Sequence, residues 1–166
     1  MRVRPAVMGD SEGMSRIAKA TFSLACPADT PPEELERYIS ENLTARCFQI
    51  ALDTPNQELR VLENAGDILG FSLIDYNPDR LNIPLADGVP ELTRCYVDSK
   101  HHGTGAAQLL LTATLAGISD PIRLTVNDQN ARAIGFYQRN GFFKVGETSF
   151  QCGDDVHRDW VMVRKP

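Results

Sequence analysis

Apolar residues recur at helical spacing through the first third of the chain and then switch to alternation. Met14, Ile17, Ala18 and Phe22 share one side of a helix predicted across "GDSEGMSRIAKATFSLA", with Asp10 or Ser11 placed to cap it. "PADTPPEELERYISENLTARCFQIAL" predicts a second helix or two short ones, with Thr30 as cap and prolines and glutamates in the first turn. Beyond it, "QELRVLEN" and "DILGFSLIDY" read as strands joined at Ala65-Gly66, a hairpin signal. A proline-rich loop leads to the strand "ELTRCYVD" and the helix "GAAQLLLTATLAGIS", in which Ala106, Leu109, Leu110, Ala113 and Gly117 are expected on one face. "PIRLTVND" is a strand, and "NARAIGFYQRNG" is a short helix closed by Gly141. "FFKVGETSF" and "VHRDWVMVRK" form a last strand pair around "QCGDD". The order β-α-α-β-β-β-α-β-α-β-β predicts a mixed α/β sheet in one domain spanning residues 1–166.

The bulk numbers narrow the class. A chain of 166 residues, 42% hydrophobic and 23% charged, is long enough to bury a core without staples. A net charge of −5 argues against a nucleic-acid partner bound through a basic surface. The four cysteines form no Cys-x-x-Cys pair and the three histidines lack metal-site spacing, so reduced thiols and no metal are expected. "MRVRPAVMGD" has no apolar core of a signal peptide, and no run approaches the roughly 18 apolar residues of a membrane span. A cytoplasmic protein with no membrane partner is expected.

The stretch "YVDSKHHGTGAAQLLL" carries the first chemical signal. It sets Gly103, Gly105, Ala106 and Ala107 between a strand and a leucine-rich helix. Helix N-termini hold unpaired N–H groups and about half a positive charge, and a phosphate docks there when side chains leave room. The same small residues also suit a close strand-to-helix packing turn, and the stretch alone leaves both readings open. It is not a P-loop, because no Gly-Lys-Ser/Thr follows, and its spacing does not meet the dinucleotide fingerprint.

"HGTGAA", residues 102–107, is similar to Q/R-x-x-G-x-G/A, the pyrophosphate signature of the GCN5-related N-acetyltransferase (GNAT) superfamily, with His102 where Gln or Arg is usual. "LTVNDQNARAIGFYQRNGF" resembles a second pattern of that family at Leu124, Val126, Asn130, Ala133, Phe136, Tyr137, Gly141 and Phe142. "ELTRCYV" resembles its fourth strand, and "VGETSFQCGDDVHRDWVMVR" resembles the tail of bacterial PaiA-type polyamine acetyltransferases.

The resemblance implies a single-domain GNAT fold, a mostly antiparallel twisted sheet splayed between strands 4 and 5 and flanked by helices. It implies acetyl-CoA as co-substrate and acetyl transfer to a primary amine of a small molecule, with a polyamine as one candidate, by direct attack in a ternary complex. A protein N-terminal or lysine acetyltransferase and a non-catalytic acyl-CoA sensor are the alternatives, and a homodimer is compatible with the family. By the same resemblance, the backbone of Cys95, Tyr96 and Val97 meets pantetheine. His102, Gly103, Thr104, Gly105, Ala106, Ala107 and Gln108 hold the pyrophosphate, and Asn130 contacts the cofactor. Tyr137 matches the family's general acid. A free tyrosine has a pKa of about 10 and a thiol about 8.5, so full transfer to thiolate is uphill by roughly 2 kcal/mol, and stabilisation by hydrogen bonding is the expected main role. Neutralising a lysine-like amine at pH 7 costs about 4–5 kcal/mol, which makes a base useful. Glu91 is the candidate, with His101, His102 and His157 as rivals. Lys100 and Arg132 are candidates for the phosphates, and Asp154, Asp155 and Asp159 for attracting a cationic acceptor.

Overall fold

The computed structural model describes residues 1–165. The elements are β1 (Arg2–Pro5), a 3-10 turn (Met8–Asp10), α1 (Ser11–Ala25), α2 (Pro32–Asn42), α3 (Ala45–Asp53), β2 (Gln57–Asn64), β3 (Asp67–Asp75) and β4 (Glu91–Val97). A second 3-10 turn (Ser99–His101) leads to α4 (Ala106–Leu115), β5 (Ile122–Asn127), α5 (Ala131–Arg139), β6 (Phe142–Cys152) and β7 (Asp155–Arg164). This is the mixed α/β architecture expected from the pattern, with the long helical stretch resolved into two helices. Thr44 ends the ambiguity: its hydroxyl accepts from the Cys47 amide at 3.3 Å and starts α3 as a new helix. Thr30 does not cap α2. The N-cap is Pro31, and the Thr30 hydroxyl is buried 3.4 Å from His157 Nε2. Asp10 does precede α1, but its carboxylate binds the Arg4 guanidinium and the Val7 amide, leaving no side-chain cap bond.

The seven strands lie in the order β1-β2-β3-β4-β5-β7-β6. β2 and β3 turn at Ala65 and Gly66, both at positive φ as a two-residue hairpin requires. Against β3 and β4 on one face, Met14, Ile17, Ala18 and Phe22 of α1 pack with Phe48, Val61 and Phe71. On the other face, α4 covers Leu62, Leu69 and Val97 through Ala106 and Leu110. The buried positions of α4 are Ala106, Leu110, Leu111, Thr114 and Leu115. The face expected from sequence was therefore rotated: Leu109 and Gly117 are exposed. A run of consecutive leucines carries no phase. The Thr114 hydroxyl, satisfied by Ser72 Oγ at 2.7 Å and by the Leu110 carbonyl, is what allows a polar residue inward.

One discontinuity interrupts the sheet. β4 and β5 run parallel but pair only at Glu91↔Arg123. That end is held by the Arg123 guanidinium, 2% exposed at the side chain, which binds Glu91 at 3.1 Å, sits 3.7 Å from Asp87, and donates to the Ala86 and Asp79 carbonyls. A buried arginine is tolerated there because two carboxylates and two carbonyls meet it. Beyond Glu91 the strands diverge, and the rest of the facing β4 edge has no strand partner among the described residues. β4 also bulges: Leu92 pairs with Ile74 and Arg94 with Leu73, so Thr93 is the extra residue.

Candidate active site

The gap between β4 and β5 continues into a cavity of about 890 Å³, within the range of small-molecule sites. One end is the turn before α4. Gly103 and Gly105 have φ of 77° and 87°, the left-handed region. A Cβ at either would meet nothing within 4 Å, so the space over the main chain is open. Gly105 is the N-cap of α4, and the first amides of that helix have no intrahelical partner. An anion the size of a diphosphate fits this chemistry: bare donors, a helix N-terminus and no side chain in the way. His102 lies with its Nε2 2.9 Å from the Val97 carbonyl. Since a carbonyl only accepts, Nε2 carries the proton, and His102 fastens the turn to the end of β4. Arg132 and Arg139 of α5 line the same cavity.

The middle of the cavity is bounded by Cys95 and Val97 on β4, by Thr125 and Val126 on β5, and by Asn130 and Tyr137 around α5. Asn130 caps α5, its Oδ1 accepting from the Ala133 amide at 3.2 Å. Gln108 of α4 donates to Asn140 Oδ1 at 2.7 Å and accepts from Asn140 Nδ2 at 3.2 Å, so the two helices flanking the gap are tied beside it. The Tyr137 ring packs against Phe136 and Phe142, with centroids 5.4 and 5.6 Å away. Burial, with lesser contributions from Cys95 and Tyr96, holds its hydroxyl pKa well above 10, so Tyr137 is a neutral donor at pH 7. Burial also pushes the Cys95 thiol up to about 12, which makes it a neutral wall residue and a poor nucleophile.

The far end lies on the opposite face of β4, under α1 and α2. Phe22 stacks on Tyr38 with centroids 4.4 Å apart, and Phe150 meets Tyr38 edge-on at 5.3 Å. Arg94 projects here: its Nη1 donates to the Tyr96 hydroxyl at 3.2 Å and its Nη2 to the Tyr38 hydroxyl at 3.3 Å. His157 and Asp159 of β7 complete the wall. Burial, aided by Asp128 and opposed by His157 and Asn127, pushes the Asp159 carboxyl up to about 6. The hairpin tip is fixed over this end. The Glu34 carboxylate on α2 accepts from the Asp154 amide at 2.9 Å, and Arg37 stands 3.6 Å from Asp154.

Of the residues expected from sequence, Glu91, Cys95, Tyr96, Val97, His102, Gly103, Gly105, Ala107, Gln108, Asn130 and Tyr137 all border this one cavity. Thr104 and Ala106 do not. The Thr104 hydroxyl turns to the His101 carbonyl at 2.7 Å, and the Ala106 side chain is buried beneath α4, so each offers only its main chain. Lys100 is exposed and off the cavity, whereas Arg132 is on it. The sequence pattern did not single out Arg94, Arg123 or Arg139, and it offered Asp159 only beside Asp154 and Asp155 as an attractor of a cationic acceptor. The available signal for Arg94 was an arginine interrupting the apolar strand that abuts the glycine turn.

The profile of the Acetyltransferase (GNAT) domain matches residues 26–156. An uncharacterized N-acetyltransferase of Mycobacterium bovis is 32% identical over 162 residues, covering 95% of this chain and 99% of its own. The spermine/spermidine N(1)-acetyltransferase of Bacillus subtilis is 27% identical over 131 residues, covering 70% of this chain and 83% of its own. Among solved structures, the PaiA N-acetyltransferase of Thermoplasma acidophilum in complex with coenzyme A superposes with a TM-score of 0.78 at 18% identity, covering 99% of this chain and 98% of that one. The chain belongs to the GCN5-related N-acetyltransferase family and is an acetyl-CoA-dependent N-acetyltransferase.

Proposed function

We propose that the protein acetylates the primary amine of a small molecule by direct attack, both substrates being held in the one cavity. The observation that carries this reading is the continuity of that cavity from the bare amides of α4, past Tyr137, to the chamber under α1 and α2. Acetyl-CoA brings the activated acyl group as a thioester. The main-chain donors of residues 103–108 hold the diphosphate, with Arg132 and Arg139 adding positive charge. The open β4 edge aligns pantetheine as an added strand, and Asn130 borders it. Tyr137 donates to the departing sulfur; its raised pKa keeps its proton in place until negative charge develops there.

Two carboxylates are candidates for the base. Glu91 is raised by burial but is held by Arg123 at 3.1 Å, in the closed end of the splay. Asp159 has no arginine or lysine within ion-pair distance among the described residues, and its value near 6 suits proton removal at neutral pH. Asp159 is the better supported base.

The hairpin tip fixed to α2 favours a small acceptor over a folded protein's terminus or lysine. Polyamines are one small-amine class to test, from the name of the Bacillus subtilis relative and the aspartates of β7. The reading is tested by incubating the protein and acetyl-CoA with polyamines, amino acids, aminoglycosides and peptides while free thiol is recorded. Thiol release with small amines is expected. Tight acetyl-CoA binding without release from any amine would make the protein a sensor.

A further inference from the structure

We infer that Arg94 is an anion-binding residue of the acceptor chamber, and that the acceptor carries a carboxylate beside its amine, as an amino acid does. This rests on the acetyltransferase reading above and narrows its substrate class away from simple polyamines.

Arg94 differs from the other arginines drawn into the fold. Arg4 binds Asp10 and Glu63, and Arg123 binds Glu91 and lies near Asp87. Arg94 has no carboxylate within salt-bridge distance among the described residues. Its polar contacts there are the Tyr96 and Tyr38 hydroxyls, at 3.2 and 3.3 Å, which use two of the five guanidinium N–H groups. Burial raises the Tyr96 hydroxyl pKa despite the nearby guanidinium, so Tyr96 is neutral at pH 7 and does not cancel the charge. Arg94 keeps its charge at pH 7 despite its burial, because a guanidinium is too strong a base to lose its proton there, and the two neutral hydroxyls accept from it.

The chamber therefore presents a fixed cation, oriented by two hydroxyls, with donors to spare. Its position rules out service to the coenzyme A phosphates: Tyr38 belongs to α2, on the face of β4 opposite α4. A polycation entering here would meet like charge in a confined space, whereas a carboxylate would find a forked donor. Asp159, which borders the same cavity, supplies the opposite pole for the amine. Phe22, Tyr38 and Phe150 offer an apolar wall between the two for the acceptor's side chain.

The test uses matched pairs that differ only by a carboxylate: lysine and cadaverine, ornithine and putrescine, histidine and histamine, tyrosine and tyramine. Thiol release reads turnover, and calorimetric titration into the protein saturated with coenzyme A reads acceptor binding. The carboxylated member of at least one pair is expected to be favoured about ten- to hundredfold in kcat/KM and in affinity. Arg94→Gln is expected to raise KM for that member about tenfold or more and to shrink the gap within its pair below about twofold, with Arg94→Lys recovering part of it. Coenzyme A affinity within twofold of the parent's certifies both variants as folded. Equal or better use of the decarboxylated amines, or an undiminished preference in Arg94→Gln, overturns the proposal, as does the absence of binding by every carboxylated member. Preferential binding of a carboxylated acceptor with no thiol release upholds Arg94 and instead defeats the catalytic reading.

Discussion

Asp159→Asn is expected to make the protein more stable and less active at once. The Asp159 carboxyl moves from an ordinary 3.8 to about 6 because burial disfavours its charge. Between those values the folded chain holds a proton that the unfolded chain has released, so stability falls as pH rises from about 4 to about 6 and is level above. Two pKa units correspond to about 3 kcal/mol, and hydration from the cavity side reduces this to about 1–3 kcal/mol at pH 7.5. Asparagine is neutral throughout and removes the penalty. Urea unfolding at pH 4 and pH 7.5 reads this: the variant should match the parent at pH 4 and exceed it by about 1–3 kcal/mol at pH 7.5. In activity the sign reverses, because the base works only when ionised. The parent's kcat/KM should decline tenfold per pH unit below about 6, and the variant should lose that limb along with about a hundredfold or more of its rate. Unchanged or lower stability at pH 7.5, together with a surviving limb near pH 6, would refute both the assigned ionisation and its role.

Further outcomes separate the remaining parts. Glu91→Gln should reduce turnover at pH 7.5 less than about fivefold if Asp159 is the base; a loss matching that of Asp159→Asn would return the role to Glu91. Tyr137→Phe should lower kcat about a hundredfold with coenzyme A affinity within about twofold, and unchanged turnover would remove Tyr137 from the chemistry. Gly105→Val forces a branched side chain into φ 87° and into the open space above the turn, so acetyl-CoA affinity measured by calorimetry should drop at least about tenfold. Arg123→Met should lower unfolding free energy by about 3–5 kcal/mol, because Glu91, Asp87 and two carbonyls lose their shared cation; a change under about 1 kcal/mol would mean that the closed end of the splay is held otherwise.

The parts legible in the sequence are those encoded locally. The Ala65-Gly66 turn, the Gly141 stop after α5 and the apolar face of α1 need only a few neighbouring residues to specify them. The glycine turn and the α5 pattern pointed to the cavity end proposed for the cofactor, because main-chain exposure demands particular residue types. What stayed hidden depends on where distant strands land. Sequence alone gives Asp159 no role apart from Asp154 and Asp155, because "QCGDDVHRD" reads locally as one hairpin. The chain instead threads β7 between β5 and β6, and the residue is drawn inward to 7% exposure. Arg123 is a single charge in an apolar strand, and its partners come from the loop after β3 and from β4. Arg94 acquires meaning only when α2 brings Tyr38 against it.

A crystal structure of the protein with bound acetyl-CoA would test the proposed site most directly. The diphosphate should accept hydrogen bonds from the main-chain N–H groups between Gly103 and Gln108, with pantetheine along the free edge of β4 and the sulfur beside the Tyr137 hydroxyl. A cofactor seated elsewhere, with the gap between β4 and β5 left unfilled, would contradict it.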